Sequence, residues 1–526
     1  MSFNYHTSRY QDGQYCVSPS DMQAWEQGVI KANPARGHEL MEIAGREVAQ
    51  HVLKHYHDVK EVLIFCGYGN NGGDGFAAAY YLERCNIQIH LFVFENEKKK
   101  RSQDAADMFE RVKHIPRTVV RQPSDASKIL KFQNHSDILV IDAIFGTGYK
   151  PSHNVLMSRV LHCISELNCP VVSVDIPSGI DAQTGYRGTI LDDAPPKAIT
   201  ATETVTFGAP KFGHFWGEGP THTGELYCVD IGLPAWSSRR MRHLLLTDDY
   251  CHEQYYTHME RAQDVYKGKC GHVVVVGGHE HMPGAACLSA RAALRTGAGL
   301  VTIAARKDMR VPDEIMLAPF VGNGCGLNED VFYRHMNQAD VLVVGPGLGR
   351  DDVTLQILSI CQLFRKPLIL DADALWGLSQ EDFKFESPEL YLTPHPGEAA
   401  GLCQGSVKDV LYDPVNIINQ ISEKYKATTI LKNHTSLIAA FSGKKIKTGI
   451  SPYTNPGIAS AGIGDVLAGM IGAVASQARC GAWKRWFEPF DVASIAVNMH
   501  SQAGRKATQK LGNSACASDL IQEIRL

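Results

Sequence analysis

The segment from Asn455 to Ala473 joins a loop of small residues to a carboxylate at the start of a helix. Gly462, Gly464 and Asp465 precede apolar residues at helical spacing, so the loop is predicted to end at a helix N-terminus. Free N–H groups and the helix dipole make such a terminus an anion site. Asp465 has two interpretations, a helix cap or a base beside a bound phosphoryl group. We favour the base, which would activate a substrate hydroxyl for phosphoryl transfer.

A second glycine-rich loop follows the apolar strand predicted at residues 62–66. Residues 67–75 are GYGNNGGDG, and their five glycines exceed what a tight turn needs. Strand, loop and helix in this order predict a nucleotide-binding site. The dinucleotide fingerprint GxGxxG begins at Gly67, but Asn70 and Asn71 add oxygens that could hold a monovalent cation together with Asp142 and Ser178.

Two further predicted strands of the first half, at 138–141 and 171–174, also end in polar loops. Loops that follow parallel strands lie at one edge of an open sheet. We therefore predict a Rossmann-like three-layer α/β domain in which one crevice collects Asn71, Asp74, Asp142, Lys150, Asp175 and Ser178.

The second half repeats this plan without repeating the sequence. Apolar strands predicted at 272–276, 341–344, 368–370, 390–392 and 429–431 each end in a glycine-rich or polar loop. The pattern breaks at Pro234–Arg240, so we predict a boundary near residue 240 and two domains, 1–240 and 241–526.

The composition is that of an ordinary globular protein. A net charge of −4 and a sequence pI near 6.6 provide no field for nucleic acid. No apolar run reaches the ~18 residues of a membrane span, and neither the 14 cysteines nor the 22 histidines show convincing metal spacing. We expect a cytoplasmic homo-oligomer that acts on small molecules and binds neither nucleic acid nor a membrane.

The first half resembles the NAD(P)H-hydrate epimerase domain through the motifs GYGNNGGDG, DAIFGTG and VDIPSGID. The resemblance implies that the hydrated nicotinamide nucleotide is held by Asn70, Asn71, Gly72, Gly73, Asp74, Gly146, Thr147, Gly148, Tyr149, Lys150 and Asp175. It also implies K⁺ ligation by Asn71, Asp142 and Ser178. Inversion of the hydrated carbon requires one bond to break and re-form, for which an acid/base pair suffices, and Lys150 and Asp175 are our candidates.

The second half resembles the ADP-dependent NAD(P)H-hydrate dehydratase, a relative of ribokinase-like kinases, through the motifs GAGLV, GPGLG, DADAL, TPHPGE and GIGD. The resemblance implies a ribokinase-like α/β domain whose substrate is faced by Ala285, Gly347, His395 and Asp465. A lone histidine is more often structural, but the motif around His395 favours a site role. The resemblance places ADP, with Mg²⁺, at Lys432, Asn433, His434, Thr435, Ser436 and Gly464.

Together the two resemblances imply a bifunctional enzyme, an isomerase joined to a lyase, that repairs hydrated NADH and NADPH. The isomerase would interconvert the R and S hydrates, and the lyase would dehydrate the S form while ADP becomes AMP and phosphate. The alternative is a ribokinase-like kinase for a vitamin precursor, with a non-catalytic nucleotide-binding module in the first half. The Asn-Asn-Gly-Gly-Asp loop counts against it, because a kinase has no use for that loop.

Overall fold

The chain forms two compact units, Met1–Leu244 and Leu245–Leu526, in a computed structural model. The structure describes residues 5–7, 14–95, 100–135, 137–188, 196–234, 242–321 and 327–525. Most of the predicted junction, residues 235–240, lies outside the described residues. No helix among the described residues is long and apolar enough to cross a membrane.

The first unit alternates strands with helices over most of its length. Its strands are β1 Tyr5–Thr7, β2 Tyr15–Val17, β3 Glu61–Cys66, β4 Gln88–Phe94, β5 Arg117–Val120, β6 Ile138–Ala143, β7 Val171–Val174, β8 Glu203–Phe207, β9 Glu225–Val229 and β10 Arg242–Leu245. Its helices are α1 Pro19–Ala32, α2 Ala35–His55, α3 Asn70–Glu83, α4 Gln103–Val112, α5 Val155–Ser165 and α6 Gly219–Thr223, with 3₁₀ segments at Pro123–Phe132 and Phe212–His214.

Eight strands of this unit form one parallel sheet in the order β1-β9-β8-β7-β6-β3-β4-β5. Side chains alternate along β3: Val62 and Ile64 pack on one face with α2 and α3, whereas Leu63 and Phe65 pack on the other with α5. The two cores confirm a three-layer α/β fold. The order of strands reverses between β3 and β6, and ligands bind at such a switch point in open α/β sheets.

The second unit has the same alternation and ends in two long helices and a short one. Its strands are β11 His272–Gly277, β12 Leu300–Ala305, β13 Met316–Leu317, β14 Val341–Val344, β15 Leu368–Leu370, β16 Leu390–Leu392, β17 Thr428–Lys432, β18 Ser436–Ser442 and β19 Lys445–Ile450. Its helices are α7 Asp248–Gln254, α8 Pro283–Arg295, α9 Glu329–Gln338, α10 Asp352–Cys361, α11 Asp373–Gln380, α12 Pro396–Cys403, α13 Val407–Tyr412, α14 Pro414–Tyr425, α15 Ile463–Cys480, α16 Pro489–Leu511 and α17 Ala517–Glu523. Its 3₁₀ segments are Tyr256–His258, Lys267–Cys270, Pro456–Ile458 and Gly512–Ser514.

The strands of the second unit follow the order β13-β12-β11-β14-β15-β16-β17-β18-β19. They are parallel up to β17, and β18 and β19 then continue as an antiparallel hairpin. The order reverses between β11 and β14, which places a second switch point where the loops after these two strands meet.

The predicted α/β class is confirmed in both units. The long apolar strands were located to within two residues, because a strand covered on both faces is a continuous apolar run. Strands β5, β8 and β9 and the β18–β19 hairpin were not predicted from the sequence. Threonine, glutamate and tyrosine interrupt the apolar pattern of β8 and β9, which lie towards the edge of their sheet.

Candidate functional site

The first candidate site lies at the switch point of the N-terminal sheet. The loop after β3 is pressed against the loop after β6, since a Cβ on Gly67 would lie 1.9 Å from the carbonyl oxygen of Ile144. A Cβ on Gly146 would lie 3.1 Å from Asn71 Oδ1, at the start of α3. Only glycine permits the first approach, and the second leaves room for a side chain only if Asn71 shifts by a few tenths of an ångström. The glycines of the two motifs thus line one crevice at the helix N-terminus.

Asp142 is the buried centre of a hydrogen-bond network in this crevice. Its Oδ1 accepts from Ser178 Oγ at 2.5 Å and from Ile144 N at 3.3 Å, and its Oδ2 accepts from Ser178 N at 2.8 Å and from Ser173 Oγ at 2.9 Å. Burial raises the pKa of Asp142 although these hydrogen bonds favour its charged form. Ser178 also accepts from Phe145 N at 2.9 Å, which ties the loop after β6 to the loop after β7.

Asp175 forms a buried ion pair with Lys211, a residue that sequence analysis did not identify. Lys211 Nζ contacts Asp175 Oδ1, and Thr206 Oγ1 donates to the same oxygen at 3.0 Å. Burial opposes the charge on Asp175, but Lys211 outweighs it and holds the pKa of that carboxyl below its usual value. Asp175 has a left-handed backbone with φ of +68°, a strained conformation for a residue with a Cβ, as is common at functional sites.

His214 holds the Asp175 backbone in this position. Its Nδ1 accepts from Lys211 N at 3.0 Å, so its Nε2 carries the proton and donates to the Asp175 carbonyl at 2.9 Å. Burial lowers the pKa of His214 to about 3, which keeps the ring neutral.

Two further carboxyl groups are influenced by the Asp175–Lys211 pair. Burial, with a smaller repulsion from Asp175, raises the pKa of Asp74 well above its usual value. Burial also raises the pKa of Glu26, on α1, to about 7, and here Lys211 acts in the opposite direction. Asp74 was predicted for the site; Glu26 was not, because nothing in a helical sequence indicates which face meets a distant lysine.

Lys150, the predicted acid/base partner of Asp175, forms its ion pair with another carboxylate. Its side chain is 71% exposed, and its Nζ donates to Asp181 Oδ2 at 3.0 Å rather than to Asp175. The acid/base role of Lys150 stays a prediction, but in the structure the lysine that pairs with Asp175 is Lys211. The cause is that Lys211 follows β8, one of the strands that sequence analysis missed.

The remaining predicted residues of this half surround the crevice. Asn70 accepts from Ser102 Oγ at 2.7 Å, and the aromatic rings of Phe145 and Tyr149 stack 4.6 Å apart. Tyr149 N donates to the Gly146 carbonyl at 3.0 Å, so residues 146–149, including Thr147 and Gly148, form a turn after β6. Gly72 and Gly73 lie in the buried first turn of α3.

The second candidate site lies at the N-terminus of α15. Gly462 precedes the helix with φ of +88°, and Asp465 occupies its first turn. A Cβ on Gly464 would lie 3.0 Å from Lys432 Nζ, so the ammonium group lies directly against the helix start. His500 Nε2 forms a hydrogen bond of 3.2 Å with the Ile463 carbonyl in the first turn of the helix. The lysine and the free N–H groups of the helix together make an anion pocket with Asp465 at its side.

Four carboxyl groups interact with Lys432 or with one another: Asp371, Glu398 and Asp465 act on Lys432, and Asp373 acts on Asp465. Lys432 Nζ contacts Asp371 Oδ1, which also accepts from Thr393 Oγ1 at 2.7 Å. Burial and the charge of Asp371 raise the pKa of Asp465 to about 7, while Lys432 opposes the shift. Burial likewise raises the pKa of Glu398 to about 7. Asp371 and its neighbours hold the pKa of Lys432 above its usual value despite burial.

Asp373, the fourth carboxyl group, fixes the loop after β14. Its Oδ2 accepts from Gly349 N at 2.9 Å and its Oδ1 from Arg350 Nε at 2.9 Å. In the same loop, a Cβ on Gly347 would lie 3.1 Å from the Cβ of Ala285, at the start of α8. Ala285 and Gly347, both implied by the family resemblance, therefore face each other at the switch point.

His395 caps a helix within this site. Its Nδ1 accepts from Gly397 N at 3.0 Å and from Glu398 N at 3.3 Å. Glu398 Oε2 in turn accepts a hydrogen bond from His395 N at 2.8 Å. The side chain is 54% exposed, and its Nε2 lies 3.4 Å from Glu398 Oε1. His395 therefore has a structural role as a helix cap, and its predicted role in the site stays a prediction that its exposed edge permits.

The predicted nucleotide loop is the turn of the β17–β18 hairpin. Lys432 and Ser436 are opposed in register, and Asn433 N donates to the Thr435 carbonyl at 3.1 Å. Thr435 is buried and bonds the Ser451 carbonyl, so its side chain supports the turn, whereas His434 is exposed.

Sequence analysis missed Asp371, Asp373 and Glu398 as functional residues although all three lie in quoted motifs. The signal was present, since Asp371 directly follows a buried strand and Glu398 follows the histidine of TPHPGE. The sequence pattern did not indicate that Asp371 and Glu398, from two different loops, both act on Lys432, or that Asp373 pairs with Arg350.

The geometry of the second site suits an enzyme that transfers a phosphoryl group to a hydroxyl. A carboxyl group whose pKa is raised to about 7 lies beside a lysine and a helix N-terminus, and that reaction needs a base beside an anion site.

Comparison with known proteins assigns a family to the chain. Residues 273–526 match the family model described as NAD(P)H-hydrate dehydratase, and residues 37–213 match that of the YjeF-related protein N-terminus. A bifunctional NAD(P)H-hydrate repair enzyme Nnr of Moorella thermoacetica is 32% identical over 92% of this chain and 90% of its own. The enzyme of the same name from Escherichia coli is 31% identical, over 93% and 89%. A ribokinase-like superfamily protein from Enterococcus faecalis is 27% identical over 50% of this chain and 89% of its own, with a TM-score of 0.43.

The chain therefore belongs to the family of bifunctional NAD(P)H-hydrate repair enzymes, as the sequence motifs predicted. The two family models cover the two halves in the predicted order, an isomerase followed by a lyase. Because the relatives match along almost the whole chain, the alternative of a vitamin-precursor kinase is not favoured.

Proposed function

We propose that the C-terminal unit dehydrates the S hydrate of NADH or NADPH with ADP as phosphoryl donor, and that the N-terminal unit interconverts the R and S hydrates. The products of the first reaction are the restored nicotinamide nucleotide, AMP and phosphate. One observation carries the proposal: Asp465, with a pKa near 7, lies beside the Lys432 ammonium group at the start of α15. The fusion lets the hydrate that the dehydratase does not use be converted into the one it uses.

Asp465 acts as the base of the dehydration. It takes the proton of the C6 hydroxyl as that oxygen bonds to the β-phosphorus of ADP, and the bond between this phosphorus and the oxygen that AMP retains breaks. The Lys432 ammonium group and the N–H groups of Gly464 and its neighbours stabilise the charge on the transferred group. The ring nitrogen then expels phosphate from C6, and loss of a proton from the adjacent carbon restores the double bond.

The residues around Asp465 also fit Mg²⁺. Asp371 Oδ2 is buried and accepts no hydrogen bond from the described residues, and Asp373 supplies a second carboxylate nearby. Carboxylate oxygens beside phosphates are the ligands that Mg²⁺ prefers. Bound there, the ion would neutralise phosphate charge during transfer. Asn433, His434, Thr435 and Ser436 stay our prediction for nucleotide contacts, and Ala285, Gly347 and His395 for the hydrate.

Asp175 and Lys211 perform the epimerisation. Breaking and re-forming one bond at the hydrated carbon needs a group that accepts a proton and a group that supplies one. Asp175 is held as a carboxylate beside Lys211, so it can accept a proton, and the adjacent Lys211 ammonium group can supply one. Lys150, exposed at the rim and paired with Asp181, is assigned to the phosphates of the hydrate.

The N-terminal crevice has the oxygen atoms for K⁺. Asp142 and Ser178 are hydrogen-bonded to each other, and the buried Asn71 Nδ2 has no partner among the described residues. A half-turn of that amide would present an oxygen in its place. We keep Asn71, Asp142 and Ser178 as the proposed K⁺ ligands, and a cytoplasmic homo-oligomer as the proposed state of the enzyme.

The test is the stoichiometry of the dehydration. The S hydrate is incubated with the protein and Mg²⁺, with ADP, with ATP and without nucleotide, and the nicotinamide product, AMP and phosphate are quantified. One AMP and one phosphate per NADH with ADP support the proposal. NADH formed at the same rate without nucleotide would refute it, and preference for ATP would correct the donor.

A further inference from the structure

A second polar cluster of the N-terminal unit lies at the amino end of the sheet, away from the candidate crevice. Glu203 is the first residue of β8, whereas Thr206 of the same strand contacts Asp175. At ~3.3 Å per residue these two positions are about 10 Å apart. His51 and His55, one helical turn apart near the end of α2, meet Glu203.

The geometry of the cluster is close to that of a metal site. His51 Nε2 contacts Glu203 Oε2, and His55 Nδ1 lies 3.6 Å from Glu203 Oε1. One ligand atom from each residue falls within 4.8 Å of the others. Around a tetrahedral Zn²⁺ with bonds of ~2.0–2.2 Å, ligand atoms lie about 3.3 Å apart, so small side-chain rotations suffice.

Aromatic packing holds the two imidazoles in place. The two rings stack with centroids 4.2 Å apart, and the ring of Tyr227 packs edge-on against both. Tyr56 adds a buried hydroxyl that completes no hydrogen bond with the described residues.

We propose that His51, His55 and Glu203 bind one Zn²⁺ ion, with its fourth position left to water or to the Tyr56 hydroxyl. Two imidazoles and one carboxylate suit Zn²⁺, whereas Mg²⁺ prefers oxygen ligands alone. The ion joins the end of α2 to the start of β8, the strand that leads to Thr206 and the loop of Lys211. The site is independent of the proposed reactions, and nothing in their mechanism requires it.

The test is Zn²⁺ binding by the full-length protein, stripped with a chelator and kept in excess Mg²⁺ to occupy oxygen-only sites. Affinity is measured by competition with a chromogenic chelator, and thermal unfolding is followed with and without Zn²⁺. The variants are His55→Gln and Glu203→Gln, which keep side-chain size and hydrogen bonding. His57→Gln is the matched control, because His57 is exposed just beyond the same helix.

The wild type and His57→Gln are expected to bind one Zn²⁺ that raises the melting temperature. Each of the other two variants should bind at this site at least about 100-fold more weakly and lose the rise in melting temperature. Circular dichroism without metal establishes that both variants fold. If His55→Gln is unstable, the Zn²⁺ affinity of Glu203→Gln alone tests the proposal. Equal Zn²⁺ binding by wild type and both variants, as scattered cysteines would give, overturns the proposal.

Discussion

Replacing Asp465 by Asn removes the proposed base while nearly preserving the shape of the side chain. A general base contributes about 10²–10⁴-fold to a rate, so kcat for dehydration of the S hydrate should fall by about that factor. ADP binding should persist, because Lys432 and the start of α15 are unchanged. In the wild type, kcat should rise with pH to a plateau, with a midpoint near the Asp465 pKa of about 7.

The same substitution should stabilise the C-terminal unit. Burial, and then Asp371, raises the pKa of Asp465 from 3.8 to about 7. Above pH ~7 such a shift corresponds to about 4 kcal/mol, an upper limit that relaxation of neighbouring charges reduces to about 1–3 kcal/mol. The pKa of Asp465 is higher in the folded state than in the unfolded state. The cost to the free energy of unfolding is therefore absent at a pH below the unfolded-state pKa, and it grows until the pH passes the folded-state pKa. Asn carries no such cost.

The assay pairs urea unfolding at pH 5 and pH 8 with rapid-quench dehydration kinetics. The variant is expected to be more stable than the wild type, by a margin that is larger at pH 8, and to be nearly inactive. Asp382→Asn, at an exposed position, is the control and should change neither quantity. The reasoning would be wrong if the Asp465→Asn protein retained most of its kcat, or if its stability relative to the wild type were no greater at pH 8 than at pH 5.

Three further predictions follow from the contacts. Lys432→Met should weaken ADP binding. Because Lys432 lowers the pKa of Asp465, the same substitution should move the midpoint of the pH–kcat profile upward. A midpoint that stays unchanged in a steady-state pH series would count against an interaction between Lys432 and Asp465. Lys211→Met should slow epimerisation about 10²–10⁴-fold, as loss of an acid does, and leave dehydration of the S hydrate unchanged; chromatography of the two hydrates decides it. Gly464→Ala places a Cβ 3.0 Å from Lys432 Nζ, so KM for ADP should rise in initial-rate assays, and an unchanged KM would argue against the anion pocket.

Local signals explain what the sequence predicted. Gly67–Gly73 and Gly462–Asp465 were located because a phosphate-binding turn needs small residues between an apolar strand or loop and a helix. The strands before these loops were found because parallel strands covered on both faces are continuous apolar runs. The convergence of Asn71, Asp142 and Ser178 followed from the rule that loops after parallel strands share one edge.

The sequence did not predict contacts between residues that are far apart in the chain. Lys150 lies in a motif and was chosen as the partner of Asp175, but the lysine that pairs with Asp175 is Lys211, 36 residues after Asp175 in the sequence. The register of β8 decides which lysine reaches Asp175, and β8 carries too weak an apolar pattern to be recognised. His51 and Glu203 are 152 positions apart, so their contact likewise depends on how α2 packs on the sheet.

The most direct test of the account follows both hydrates of NADH by chromatography with K⁺, Mg²⁺ and ADP, for the wild type and for Lys211→Met. The account predicts that the wild type consumes both hydrates and yields NADH. The variant should consume the S hydrate at the wild-type rate and the R hydrate only as fast as it epimerises spontaneously. If the wild-type protein consumed the R hydrate only as fast as it epimerises spontaneously, or consumed neither hydrate, the proposed pair of activities would be wrong.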